Sequence, residues 1–142
     1  MSVDPLSVVG RVESLHAIGE YVLDAAARAG LENRAAYRLR LAVDEIATNA
    51  IMHGYEAADF LGDLLVTAEF DKSKLTVILE DSSPEFDPLR TPPPEDLDVE
   101  PQERPAGGLG VFLALGGVDE FRHQWLNNKN RNIFVQFIGE GD

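Results

Sequence analysis

There is no cysteine in this sequence, which excludes disulfide bridges, thiolate catalysis and cysteine-ligated metals and leaves the redox compartment open. Basic residues are scarce: 12 Lys and Arg stand against 25 Asp and Glu, a formal charge of −13. So acidic a chain gains nothing electrostatically from a nucleic-acid backbone or an anionic membrane, and neither is expected as a partner; a basic protein partner is compatible. No uncharged run is long enough to span a bilayer, and Met1-Ser2-Val3-Asp4-Pro5 lacks the basic-then-apolar order of a signal peptide. The expected location is the cytoplasm. What is present is 44% hydrophobic and 26% charged over 142 residues, the profile of one folded domain over 1–142 with a substantial core.

Hydrophobic spacing orders the chain. Leu6–Val9 reads as a short edge strand. From about Val12 to Ala29 the residues Leu15, Ile18, Val22, Leu23 and Ala26 follow helical spacing, with Gly30 placed as the C-terminal stop. Asn33 is the expected N-cap of a second helix, which runs until His53-Gly54. Two runs of β-formers, Gly62–Phe70 and Lys74–Glu80, flank a hairpin turn at Asp71-Lys72-Ser73. Between Asp81 and Ala106 prolines (Pro92, Pro93, Pro94, Pro101, Pro105) alternate with acids (Glu95, Asp96, Asp98, Glu100, Glu103), a loop of the length usually kept for function. Gly107-Gly108-Leu109-Gly110 opens a short helix that Gly116-Gly117 stops. Glu120–Leu126 and Ile133–Ile138 then form a closing hairpin turned at Asn127–Asn130, with Phe121 and Trp125 assigned to the core. Two helices, two strands, a helix and two strands predict an α+β fold: a two-layer sandwich with helices on one face of a mostly antiparallel sheet.

Three segments carry candidate chemistry. On the second helix the buried stripe Ala42, Val43, Ile46, Ala47, Ala50 and Ile51 is flanked by Glu45 and Asn49, neighbours one turn apart. They are either solvated helix residues, or a general base beside a neutral oxygen ligand for a hard cation that keeps most of its waters. Asp81, at the end of a strand, either caps its own turn or accepts a hydrogen bond from an exocyclic amine such as adenine's. Gly107–Gly110 at a helix start lets backbone amides approach a phosphate, with Arg104 upstream as a second contact or as a solvated loop residue. The three histidines, His16, His53 and His123, show no metal-ligand spacing, and His53 reads as a packing or dipole-complementing residue.

Taken together, Glu45-x-x-x-Asn49 on a helix, strand-end Asp81 followed by Phe86-Asp87-Pro88, and Gly107-Gly108-Leu109-Gly110 at a helix start resemble the GHKL (Bergerat-fold) ATPases. Asp44-Glu45-Ile46-Ala47-Thr48-Asn49-Ala50-Ile51-Met52-His53-Gly54-Tyr55 is most similar to their small branch, the anti-sigma-factor serine/threonine kinases. The resemblance spans roughly residues 14–137. It implies ATP and Mg²⁺ as cofactors, with Asn49 holding the metal and Glu45 acting as base on the attacking hydroxyl. Asp81 would receive the adenine amine, Ser83, Phe86 and Arg104 would complete the nucleotide site, and Gly107, Gly108, Leu109 and Gly110 would lend amides to the phosphates. Residues of about 87–106 would form the lid. Implied partners are a sigma factor and a small STAS-type antagonist that is phosphorylated, with a dimer as the usual working form. One departure stands out: Ser83 lies two residues after Asp81 where the family has Gly, and its side chain either crowds the pocket or replaces a water. A binding module of the same fold, sequestering a regulatory protein without turnover, is therefore the alternative. A histidine-kinase ATPase part fits less well, since no phosphoacceptor helix precedes these motifs.

Overall fold

The computed structural model describes residues 1–90 and 109–139. Five strands form one antiparallel sheet: β1 (Ser2–Val9), β2 (Asp63–Phe70), β3 (Lys74–Asp81), β4 (Glu120–Leu126) and β5 (Lys129–Phe137), in the order β1-β2-β3-β5-β4. The helices are α1 (Leu15–Ala29), α2 (Asn33–Asn49) and α3 (Leu109–Leu115). Alternation along β2 and β3 buries Leu64, Val66, Ala68, Leu75, Val77 and Leu79 in one cluster with Ile18 and Val22 of α1 and Leu39, Val43 and Ile46 of α2. Helices and sheet thus close the two-layer α+β core that the chain order predicts.

Several boundaries differ from the sequence reading. β1 begins at Ser2 and takes an irregularity in pairing between Val3 and Leu6, which accommodates Pro5 on an edge strand. Asn33 is the first residue of α2 and not its cap; Glu32 precedes it without a capping side-chain bond. The helix does not stop at His53-Gly54 but continues as a π-helical turn over Ala50–Glu56. The closing hairpin turns on Asn127 and Asn128 alone, both at positive φ (55° and 62°), so Lys129 to Asn132 belong to β5. Such a two-residue loop matches the twist of its strands better than the longer turn expected. Phe121 packs on Phe134 with ring centroids 5.1 Å apart, but Trp125 is 39% exposed and is not core, because β4 is an edge strand.

Tyr55, at the end of the π turn, ties the helical layer to two strand ends. Its buried hydroxyl donates to the Asp63 carbonyl and accepts from the Ser82 N–H, both at 2.7 Å. The turn after Asp81 therefore takes its position from α2. Tyr55→Phe should cost about 1–3 kcal/mol, the penalty for stranding two backbone groups. Urea unfolding is expected to show a lower midpoint with an unchanged slope.

Candidate functional site

A cavity of about 140 Å³ opens where the C-terminal end of α2 overhangs the ends of β3 and β5. Ile46, Asn49, Ala50, His53 and Gly54 form its helical wall, Asp81, Ser83 and Phe86 its rim, and Asn130 and Asn132 its floor. The structure thus brings Asn49, Asp81, Ser83 and Phe86 together. His53, read from sequence as a packing or dipole-complementing residue, is not packed: it stands exposed on the cavity wall, in the last turn of the π-helical segment. Arg104, Gly107, Gly108 and the lid beyond Arg90 lie outside the described residues. Leu109 begins α3, and Gly110 follows it.

Asp81 is buried, and that burial pushes its carboxyl above the usual range in spite of three donors. Ser83 N–H (3.0 Å), Ser83 Oγ (2.5 Å) and Asn130 Nδ2 (3.0 Å) all converge on Oδ1. None of the described residues donates to Oδ2, which remains an acceptor for a ligand N–H. Ser83 fits because Gly54 faces it: a Cβ on Gly54 would lie 2.6 Å from the Ser83 Cβ. The serine hydroxyl, donating to Asp81 Oδ1, takes up part of the aspartate's capacity.

Glu45 does not line the cavity; its carboxylate sits against α3. A Cβ on Gly110 would fall 2.7 Å from Glu45 Oε1, so only a glycine lets backbone and carboxylate approach this closely. Half-burial, and then the nearby Asp44, raise the Glu45 carboxyl above its ordinary value, which favours its use as a proton acceptor near neutrality. One helical turn away, Asn49 lines the cavity with its Nδ2 buried and without a hydrogen-bond partner. That free N–H suits an acceptor such as a phosphate oxygen, while the carboxamide oxygen is a neutral ligand of the kind taken by a cation that keeps most of its waters, as Mg²⁺ does. Among the described residues no group of three or more His, Cys, Asp or Glu is placed to hold a metal ion.

Sequence reasoning missed Asn130, placing it in a turn. It lies directly opposite Asp81 in the β3–β5 register. Its Nδ2 reaches Asp81 and the carbonyls of Ser83 (3.2 Å) and Pro84 (3.1 Å), while its Oδ1 accepts from the Phe86 N–H (3.0 Å). His123 Nε2 is 2.8 Å from the same Oδ1, which assigns the ring proton to Nε2. Asn130 thereby clasps the segment 83–86 to the sheet. Reading Asn127-Asn128 as a two-residue hairpin loop would have put Asn130 and Asn132 on the inner face of a strand.

A family model for the histidine kinase-like ATPase domain matches residues 8–135. Curated relatives include the serine-protein kinase RsbW of Staphylococcus aureus strains MRSA252 and Newman, each 31% identical over 84 residues. Each match covers 57% of this chain and 53% of the relative, so the chain spans about half the length of those proteins. Among solved structures, the RsbU and RsbW domains of Rv1364c from Mycobacterium tuberculosis share the fold, with a TM-score of 0.62 at 16% identity. That likeness covers 96% of this chain and 33% of the other.

The raised carboxyl of Asp81 carries a sign. The folded protein holds this proton where the unfolded chain has already lost it. Stability therefore falls as pH rises from the ordinary value of 3.8 through the raised one. Asp81→Asn keeps an acceptor for Ser83 and Asn130 but does not titrate. Its melting temperature should exceed that of the wild type at neutral pH, and the gap should close on acidification. Thermal scans from about pH 4 to about pH 8 check this.

Proposed function

The chain belongs to the histidine kinase-like ATPase domain family, and on that premise we propose that it is an ATP- and Mg²⁺-dependent serine/threonine protein kinase acting as an anti-sigma factor. The carrying observation is a pair one turn apart on α2, Asn49 with an unpartnered amide N–H on the cavity wall and Glu45 with a raised carboxyl against α3, near an aspartate offering a free acceptor oxygen. In this reading Asp81 Oδ2 accepts the adenine amine, and Ser83 and Phe86 bound the base. Gly110, with Gly107, Gly108, Leu109 and Arg104, attends the phosphates under a lid of about residues 87–106. Asn49 would hold Mg²⁺, which neutralises phosphate charge when bound. Glu45 takes the proton from an incoming serine or threonine hydroxyl as its oxygen bonds to the γ-phosphorus and the bond to the β-phosphate oxygen breaks, releasing ADP. A phosphorylated STAS-type antagonist and a sequestered sigma factor as partners, cytoplasmic action and a homodimer belong to the same reading, and the likeness to a serine-protein kinase supports serine as the acceptor.

One observation favours a second reading, a binding module of the same fold with little or no turnover. Ser83 donates to Asp81 and fills the corner beside Gly54, narrowing the space for a base.

Two measurements separate the readings. Mg·ATP should raise the melting temperature, corresponding to about 2.7 kcal/mol at a hundredfold excess over Kd, and EDTA or Asn49→Ala should abolish the rise. Single-turnover transfer to a co-purified antagonist at saturating ATP should slow by about 10²–10⁴ in Glu45→Gln, with ATP affinity kept within a few-fold. Binding without transfer by the wild type would leave the module.

A further inference from the structure

Three carboxamides, Asn130, Asn132 and Gln136, lie buried on the helix-facing side of β5, and the fold treats them unequally. Asn130 is fully engaged, as described above. Gln136 is engaged as well: its Nε2 reaches the carbonyls of Ala35 (3.2 Å) and Gly117 (3.3 Å), and its Oε1 accepts from the Asp119 N–H at 2.9 Å. Asn132, between them, is 2% exposed, and its Oδ1 is buried with no partner. A buried amide left unpaired is destabilising, and native folds rarely keep one. This one lies where the cavity is, on its floor, in register with Leu79 and His123. The other unpartnered buried amide atom among the described residues, Asn49 Nδ2, belongs to the same cavity. Both unmet needs in the described structure thus converge on one space.

We propose that Asn132 is a specificity-determining residue that reads the purine edge carrying the 6-amino group, together with Asp81. The inference rests on the nucleotide-binding reading above and adds a residue and a chemical preference to it. A carboxamide presents a donor beside an acceptor, which pairs with an amino group beside a ring nitrogen, as adenine offers. Ionised Asp81 can only accept, so Oδ2 takes one amino hydrogen and Asn132 Oδ1 takes the other, while Nδ2 donates to the ring nitrogen. Guanine places an acceptor, O6, where both oxygens need a donor. A water bridging Asn49 and Asn132 would satisfy the same two atoms and makes the opposite prediction about affinity.

The test is a thermodynamic cycle on the whole chain. Dissociation constants are measured by calorimetry for Mg·ATP and for the Mg complex of purine riboside triphosphate, which lacks only the 6-amino group, with wild type and Asn132→Leu. Asn132→Ser serves the same cycle if leucine does not fit. Expected is a loss of ATP affinity of about ten- to a hundredfold in the variant. The penalty for deleting the amino group should be about tenfold smaller in the variant than in the wild type. Without nucleotide, Asn132→Leu should melt at the same temperature or higher, a combination that a merely structural role does not produce. An equal amino-group penalty in both proteins, or unchanged ATP affinity, overturns the proposal and leaves the bridging water. Absence of any ATP saturation in the wild type is a distinct result: it overturns the nucleotide-binding reading itself and this inference with it.

Discussion

A carboxylate removed from water at the end of β3 is the constraint around which the rest is arranged. Burial raises the free energy of the charged Asp81, and only directed donors make it tolerable. Those donors come from two places in the chain, the following turn through Ser83 and β5 through Asn130, while the π turn after α2 holds that turn in place, its Tyr55 hydroxyl accepting from the Ser82 N–H. Gly54 belongs to the same arrangement, since any side chain there would collide with Ser83.

The contrast within one cavity is informative. On one side everything is satisfied: Asp81 Oδ1, Ser83, Asn130 and His123 form a closed hydrogen-bonded cluster. On the other, Asn49 Nδ2 and Asn132 Oδ1 have nothing. Closed networks specify a unique local structure, whereas open ones keep capacity for something that arrives later. The fold spends its hydrogen bonds on holding Asp81 in one orientation and withholds them from the surfaces that face the space.

Much of this was legible in the sequence because it follows from local rules. Helical spacing in Leu15–Ala26 and Ala42–Ile51, β-formers in Gly62–Phe70 and Lys74–Glu80, and the order of the elements were enough for a two-layer α+β fold. Asn49 and Asp81 were singled out from their places on a helix and at a strand end, Ser83 and Phe86 through the family resemblance, and the four meet at one cavity. What was not legible depends on register. Asn130 and Asn132 acquire meaning only once a two-residue turn sets which face of β5 they occupy, and a slip of one residue would point both away from the helices. Trp125 was assigned to the core from its alternation with Phe121 along a strand, yet its exposure follows from β4 having a neighbour on one side only. The π turn through Glu56 likewise has no local signature; it reflects the reach that Tyr55 needs to meet Asp63 and Ser82.

The sheet order has a consequence in time. Asp81 and Asn130 are 49 residues apart, and the strand that carries Asn130 inserts between β3 and β4, which precede it in the chain. A nascent polypeptide that has emerged through β3 can already form the β2–β3 hairpin and dock α1 and α2, all by contacts between neighbours in sequence. It cannot yet clasp the segment 83–86, because the amide that does so is still unsynthesised. During translation, then, the aspartate has Ser83 and water as donors but not yet the Asn130 amide, and a chaperone would meet a fold that still lacks α3, β4, β5 and the floor of its pocket. Competence arrives in one step, when β5 closes the sheet.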